Sequence, residues 1–128
     1  MRGEVALPAE LVARRDSHTD EVYDDGLLRI EYDGFYVECA GRPQYGLARK
    51  EFFLLACLAR NAGRVVPHES LWAAAWGSDH ALNSHTLRVH IATLRRKLVP
   101  FGIEISSVVY VGYRLNPPRQ ETAGPESI

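Results

Sequence analysis

Apolar and polar residues alternate in one part of this chain with a period of two, which is typical of strands. The alternation runs from Leu28 to Tyr32 and again from Phe35 to Cys39, with Asp33-Gly34 between the two runs. An Asp-Gly pair in this position predicts a tight hairpin, because both central residues of such a turn take positive φ. A third short strand is expected from Gln44 to Leu47, after the turn Gly41-Arg42-Pro43. The sequence therefore predicts an antiparallel sheet.

The period then changes to three and four, which predicts three helices. The first ends at Asn61-Ala62-Gly63, the second runs from Pro67 or His68 to Trp76, and the third runs from its N-cap Ser84 to Val99. The third helix carries one narrow apolar stripe, which should face the other two helices. The stripe consists of Leu87, Ile91, Leu94 and Leu98.

The last regular segments are two β-branched and aromatic runs, Ile103 to Val108 and Val111 to Leu115, which predict a closing hairpin. The order of three strands, three helices and two strands indicates one α+β domain at residues 26–116. Residues 1–25 are expected to be an acidic linker or arm, mostly disordered, and residues 117–128 a disordered tail. The chain has no apolar run long enough to cross a membrane and no secretory signal pattern, so a cytoplasmic location is expected.

The distribution of charge matters more than the net charge of −1. Residues 1–25 hold three basic and seven acidic groups, whereas residues 26–116 hold eleven Lys or Arg against seven Asp or Glu. The third predicted helix carries four cations, Arg88, Arg95, Arg96 and Lys97, and no acid from Ser84 to Val99. Because exposed helix faces usually mix signs, an all-basic helix is a candidate for binding phosphate, and a helix fits the major groove of DNA.

Catalytic and metal-binding roles find little support in the sequence. His80, His85 and His90 recur at steps of five, which turns neighbouring side chains on a helix by about 140° and prevents them from converging on one ion. Cys39 and Cys57 lack the paired spacing of a metal clamp and are interpreted as small buried thiols. We therefore expect no enzymatic activity, no metal and no cofactor.

Several motifs occur in the same order as in one known family. They are Arg49 to Leu55, Asn61 to Val66, Leu71-Trp72 with Trp76-Gly77, Thr86 to Leu98, and Val111 to Leu115. With them the chain resembles the OmpR/PhoB family of response-regulator effector domains, which are winged helix-turn-helix domains. The resemblance implies a four-stranded N-terminal sheet, a three-helix bundle and a C-terminal hairpin wing.

The resemblance also implies a function as a transcriptional regulator that binds specific DNA sequences. The third helix, residues 84–99, would enter the major groove, and the wing, residues 104–115, would reach the adjacent minor groove. In such proteins the loop that corresponds to residues 77–83 can contact RNA polymerase. A homodimer on DNA is a further possibility, and if dimers form we expect tandem or inverted half-sites about one helical turn apart. The candidate DNA-contacting residues are His85, Thr86, Arg88, Val89, His90, Thr93, Arg95, Arg96, Lys97, Tyr110 and Tyr113.

The chain departs from the family pattern at several positions. His85 stands where the family usually has Arg, Arg88 where it has Asp, and Val109-Tyr110 where the wing tip commonly reads Arg-Gly. Ala92 and Thr93 stand where Arg is frequent. Because these changes alter which bases a helix can read, an alternative hypothesis is a protein-interaction module that docks on RNA polymerase or a signalling partner and binds DNA weakly or without specificity.

Further departures concern the ends of elements. Ala48 and Pro67 replace the usual capping residues before the first and second helices. Residues 1–25 are too short for the receiver domain that members usually carry, and the pair Asp24-Asp25 is interpreted as turn and linker chemistry and not as a phosphorylation site.

Overall fold

The computed structural model describes residues 21–118 and contains two antiparallel sheets and three helices. The N-terminal sheet has the strands β1 (Val22–Asp24), β2 (Leu28–Glu31), β3 (Tyr36–Cys39) and β4 (Arg42–Pro43), hydrogen-bonded in that order. The alternation in β2 and β3 buries one face, with Leu28, Ile30, Val37 and Cys39 in the core. The predicted arm up to residue 20 and the predicted tail from residue 119 lie outside the described residues.

The sheet has four strands, as the family resemblance implies, and β1 lies in the segment that the pattern predicts to be an arm. Asp25 explains why the chain pairs here: its Oδ1 accepts hydrogen bonds from the N–H groups of Leu27 and Leu28, at 2.9 and 2.7 Å. The turn folds β1 back onto β2, so the sheet begins at Val22, before the predicted domain start at residue 26. The interpretation of Asp24-Asp25 as turn chemistry is confirmed, whereas their assignment to a linker is wrong, because Asp24 is the last residue of β1.

The predicted third strand from Gln44 to Leu47 is wrong. Ala40 and Gly41 both take left-handed conformations, with φ of 54° and 79°, so the chain turns earlier and pairs again at once as β4. The predicted hairpin between β2 and β3 is confirmed, although its turn differs from the expected one. Within the turn of residues 32–35, Phe35 alone has positive φ, 53°, so the Asp-Gly pair does not supply that conformation.

The helices are α1 (Arg49–Arg60), α2 (His68–Trp76) and α3 (Ser84–Leu98), followed by a 3₁₀ turn at Val99–Phe101. The predicted N-cap of α3, Ser84, is wrong by one residue: Asn83 caps the helix, and its Oδ1 accepts from the N–H of Thr86 at 3.0 Å. Ala48 precedes α1 and has no side-chain acceptor. Glu51 compensates in part, because its Oε1 accepts from the N–H of Ala48 at 2.8 Å.

The second sheet contains β5 (Val66–Pro67), β7 (Gly112–Asn116) and β6 (Glu104–Val108), in the order β5-β7-β6. The pair β6–β7 confirms the predicted closing hairpin, and β5 is a strand that the sequence pattern did not predict. The stripe on α3 is confirmed as core, since Leu87, Ile91, Leu94 and Leu98 are buried. Within residues 21–118, the helices are too short and too polar to cross a membrane.

Candidate nucleic-acid interface

One face of α3 is turned away from the core and is open to solvent. It lies opposite the buried stripe and carries His85, Val89, Ala92 and Arg96 as exposed side chains, with Arg88 at its flank. Val89 is 46% exposed. No acid occurs in the 15 residues of α3. The face can therefore meet a polyanion without repulsion from its own helix.

The N-terminal half of α3 is held against α2 by aromatic packing. Trp72 and Trp76 stack with their ring centroids 4.2 Å apart, and His90 meets Trp76 edge to face at 4.9 Å. The Nδ1 of His90 lies 2.9 Å from the carbonyl oxygen of Thr86, and because a carbonyl only accepts, Nδ1 carries the proton and donates. His90, a predicted DNA contact, is thus half-buried and used to position the helix.

Thr93 and Arg96 are connected on the exposed face. The hydroxyl of Thr93 donates to the carbonyl oxygen of Val89 at 3.1 Å and accepts from Nη2 of Arg96 at 3.3 Å. These contacts use the O–H donor and one of the two acceptor lone pairs of the hydroxyl, and they hold the guanidinium of Arg96 beside it. Arg96 keeps further N–H donors for a phosphate or a base.

Arg95 connects α3 to the wing. Its Nη2 donates to Oγ of Ser107 in β6 at 3.1 Å, and its guanidinium carbon lies 5.8 Å from the ring centroid of Tyr113 in β7. The predicted role of Arg95 in contacting DNA is accompanied here by a contact that fixes the angle between helix and hairpin. Sequence reasoning missed Ser107, because nothing in its local pattern indicates an arginine twelve residues earlier.

Lys97 lies away from the exposed face. Its Nζ donates to Oε1 of Glu51 at 2.7 Å and to the carbonyl oxygen of Gly46 at 2.8 Å. The side chain of Glu51 is 5% exposed, so the pair joins the end of α3 to the start of α1 from a nearly buried position. The structure places this predicted DNA contact in an ion pair with Glu51, although the side chain of Lys97 is itself 38% exposed. Sequence reasoning had not connected Lys97 with Glu51.

The two tyrosines of the predicted wing contacts have opposite environments. Tyr113 is 7% exposed and packs against His68, with ring centroids 5.6 Å apart. Tyr110 is 96% exposed at the hairpin tip, between the exposed Val109 and Val111, and takes a left-handed φ of 70°. Tyr110 is therefore free to touch a ligand, whereas Tyr113 belongs to the packing of the wing.

The wing is also fixed at its base by a close approach of two strands. A Cβ on Gly112 would overlap the backbone carbonyl of Val66 in β5, so only glycine fits at this register. The N–H of His68 donates to the carbonyl oxygen of Val111 at 3.1 Å, which joins the first residue of α2 to the hairpin. The base of the hairpin is thereby joined to β5 and to the start of α2, and Arg95 joins the hairpin to α3.

The cysteines and histidines form no second site among the described residues. Burial raises the pKa of the Cys39 thiol to about 11 and also raises the pKa of Cys57, so both are thiols at neutral pH. Both are free cysteines. Among residues 21–118, no three His, Cys, Asp or Glu side chains lie close enough together to hold a metal ion.

Comparison with known proteins identifies the family to which this fold belongs. Residues 41–115 match the family described as "Transcriptional regulatory protein, C terminal". The chain belongs to this family, the OmpR/PhoB-type winged helix domains that form the C-terminal part of response regulators. The regulatory protein VanRB of Enterococcus faecalis is 37% identical over 106 residues, which cover 83% of this chain and 47% of that protein. The chain thus spans about half the length of the curated relatives it matches.

Solved structures give the same class. The RstA DNA-binding domain of Klebsiella pneumoniae, crystallised in complex with the RstA box, is 25% identical with a TM-score of 0.66, covering 77% of this chain and 99% of that domain. The response regulator DrrB, an OmpR/PhoB homologue of Thermotoga maritima, is 29% identical with a TM-score of 0.67, covering 84% of this chain and 51% of that protein. The predicted fold class and family are confirmed.

Proposed function

We propose that this protein is a transcriptional regulator that binds specific DNA sequences, with α3 in the major groove and the β6–β7 wing at the adjacent minor groove. The observation that carries the proposal is the exposed, acid-free face of α3 beside a hairpin that Arg95 and Ser107 hold in place. The complex of the related RstA domain with its DNA box supports it. A role in binding needs no catalytic group, and contact with the chromosome would place the protein in the cytoplasm.

The contacts of the exposed residues divide into two kinds. Arg88 and Arg96 are exposed cations that can pair with phosphates or with guanine. His85, Val89 and Thr93 lie where base edges would be read, with Thr86 half-buried at the start of the helix. Lys97, His90 and Tyr113 are proposed to act indirectly, by fixing the helix and the wing.

The first experiment measures binding of the full 128-residue chain to a fluorescent random duplex by anisotropy, at low and at moderate salt. Phosphate contacts release counterions, so the affinity should fall steeply as salt rises, with a log–log slope of about −0.9 for each phosphate contacted. No binding at low salt would overturn the proposal.

Two matched arginine substitutions test the location of the contact. Arg96→Ala should lower the affinity and reduce the magnitude of the salt slope by about 1. Arg29→Ala removes the same charge from the N-terminal sheet, where Arg29 pairs with Asp24 at 3.2 Å and Glu31 at 2.9 Å, and should leave the slope unchanged. Equal effects of the two substitutions would show that binding depends on net charge alone.

The loop between α2 and α3 is proposed to contact RNA polymerase. Residues 78–83 are exposed, and the indole N–H of Trp72 donates to the carbonyl oxygen of His80 at 2.9 Å, which holds the loop in place. Asp79→Ala and Leu82→Ala should then reduce transcription from a bound promoter in a purified system without changing DNA affinity. If both variants activate as well as wild type, this loop makes no functional contact with polymerase.

The alternative is a protein-interaction module. The exposed Val99, Val109 and Tyr110 favour it, since apolar side chains on a rigid surface suit a protein partner. The salt titration separates the two functions: binding to phosphates weakens steeply with salt, whereas an apolar protein contact does not.

A further inference from the structure

The centre of the exposed face of α3 is apolar, although cations flank it. Val89, Ala92 and Thr93 stand at i, i+3 and i+4, so their side chains are neighbours on one patch. Val89 is nearly half exposed and Ala92 is exposed, and neither has any polar group to offer. We refer to these three residues as the methyl patch.

The hydrogen bonds of Thr93 leave its methyl group as the part available to a ligand. Its hydroxyl donates to the carbonyl oxygen of Val89 and accepts from Arg96. The only O–H donor of the patch is therefore used within the helix, and one of the two acceptor lone pairs of the hydroxyl is used by Arg96. The methyl patch presents mainly methyl groups and no free hydrogen-bond donor.

Only one base offers an apolar group in the major groove, and that group is the C5-methyl of thymine. Cations on either side, Arg88 and Arg96, would bring the patch against a duplex. We infer that the methyl patch recognises thymine methyl groups, so that the centre of each half-site carries A·T pairs with thymine facing α3. This inference rests on the proposed function, because the patch is the middle of the proposed interface.

The test begins with selection of bound duplexes from a random pool by the full chain. The best duplex is then made again with deoxyuridine in place of thymidine, which removes only the C5-methyl groups. Affinity should fall about fourfold for each thymine that touches the patch, since a buried methyl group contributes about that factor. Base-pair hydrogen bonds are unchanged, so the difference reports the methyl groups.

Two conservative variants test whether the lower affinity for the deoxyuridine duplex comes from contacts with the methyl patch. Thr93→Ser keeps the hydroxyl and deletes one methyl group, and Val89→Ala shortens the valine without weakening the helix. Each should reduce the ratio of thymidine to deoxyuridine affinity. Val22→Ala is the matched control, because Val22 is 36% exposed on β1 and should leave the ratio unchanged.

The outcomes distinguish this inference from the function on which it rests. Absence of salt-dependent binding to any duplex overturns both. Salt-dependent binding with equal affinity for the thymidine and deoxyuridine duplexes overturns the methyl recognition alone, as does a ratio that Thr93→Ser and Val89→Ala leave unchanged. A lower ratio in these two variants, with the Val22→Ala ratio equal to wild type, supports it.

Discussion

At the scale of single residues, the structure separates cations that can bind DNA from cations that hold the fold. Both Arg96 and Lys97 are exposed, but the Nζ of Lys97 pairs with the nearly buried Glu51, away from the outward face that carries Arg96. Helical geometry explains the difference, because consecutive residues point about 100° apart. A count of basic residues in α3 therefore overstates the number of cations available to phosphate.

We predict that Lys97→Met destabilises the protein more than it affects DNA binding. The substitution leaves the carboxylate of Glu51 without its cation in a nearly buried position, and the free energy of unfolding should fall by about 1–3 kcal/mol. Urea unfolding checks this value. Arg96→Ala is the control and should change stability by less than about 0.5 kcal/mol. Equal midpoints for Lys97→Met and wild type would show that the pair contributes nothing.

Because the thiol of Cys39 is buried, we predict that the protein loses stability at alkaline pH. Burial raises the pKa of its thiol from 9.0 to about 11 in the folded protein, so between these values the unfolded chain releases a proton that the folded protein keeps. The stabilisation that comes from keeping the Cys39 thiol protonated is complete below pH 9 and is lost as the pH rises toward 11. Urea midpoints measured from about pH 7 to 11 should fall, and Cys39→Ala should show a weaker fall from a lower starting value. An unchanged pH profile in Cys39→Ala would contradict this prediction.

At the scale of elements, the part that could be predicted from sequence is the part where one local pattern decides the structure. The four buried residues of α3 follow the helical period, and the alternation of β2 and β3 follows the strand period. The strands β1, β4 and β5 are short, at two or three residues, and none shows a period. β1 and β4 pair because turns at Asp25 and at Ala40-Gly41 bring the chain back beside β2 and β3. β5 pairs because the distant strand β7 lies beside it.

The candidate site also has a part that could be predicted from the sequence and a part that could not. Periodicity identified the exposed face of α3, since the residues opposite a buried stripe must face outward. It did not identify Ser107 as the partner of Arg95, nor Glu51 as the partner of Lys97, because both contacts join elements distant in sequence. Sequence reasoning also proposed both Tyr110 and Tyr113 as DNA contacts, although only Tyr113 lies in β7 and is buried.

The close contact of Gly112 with Val66 leads to a prediction about the wing. Gly112→Ala would place a Cβ against the backbone carbonyl of Val66, and the strand must move, at a cost of about 1–3 kcal/mol or more. The movement should also lower DNA affinity, because β7 carries the hairpin. Gly34→Ala is the matched control: a Cβ at this position would have no atom within 4 Å, and the φ of Gly34 is not positive. Urea unfolding and anisotropy check both variants, and equal stability would contradict the close approach of the two strands.

At the scale of the whole molecule, the basic charge is concentrated on α3. The sheet begins at Val22 and includes Asp24 and the turn at Asp25, so residues 22–116 carry eleven Lys or Arg against nine Asp or Glu. This excess of two is small, whereas α3 alone carries four cations and no acid. Since potential at a surface depends on nearby charges, the net charge of −1 argues against DNA binding and the distribution on α3 argues for it.

The size of α3 leads to a prediction about how copies are arranged. With 15 residues the helix is about 22 Å long, and only its outward face can reach base edges, so one domain reads few base pairs. Two copies on the same side of the duplex would multiply this limited discrimination. On the proposed function, we predict that selected sites contain two half-sites about 10 bp apart, one helical turn.

Changing the spacing tests this arrangement. Inserting about 5 bp between the half-sites would put the two copies on opposite sides of the duplex, whereas inserting about 10 bp would return them to the same side. If the copies touch each other, affinity should fall with the shorter insertion and recover in part with the longer one. Anisotropy titrations at a duplex concentration above the Kd give the stoichiometry, which should be two chains per duplex. A selected site with a single half-site and one chain bound would show that this domain acts alone, with the few contacts of one α3 as its whole specificity.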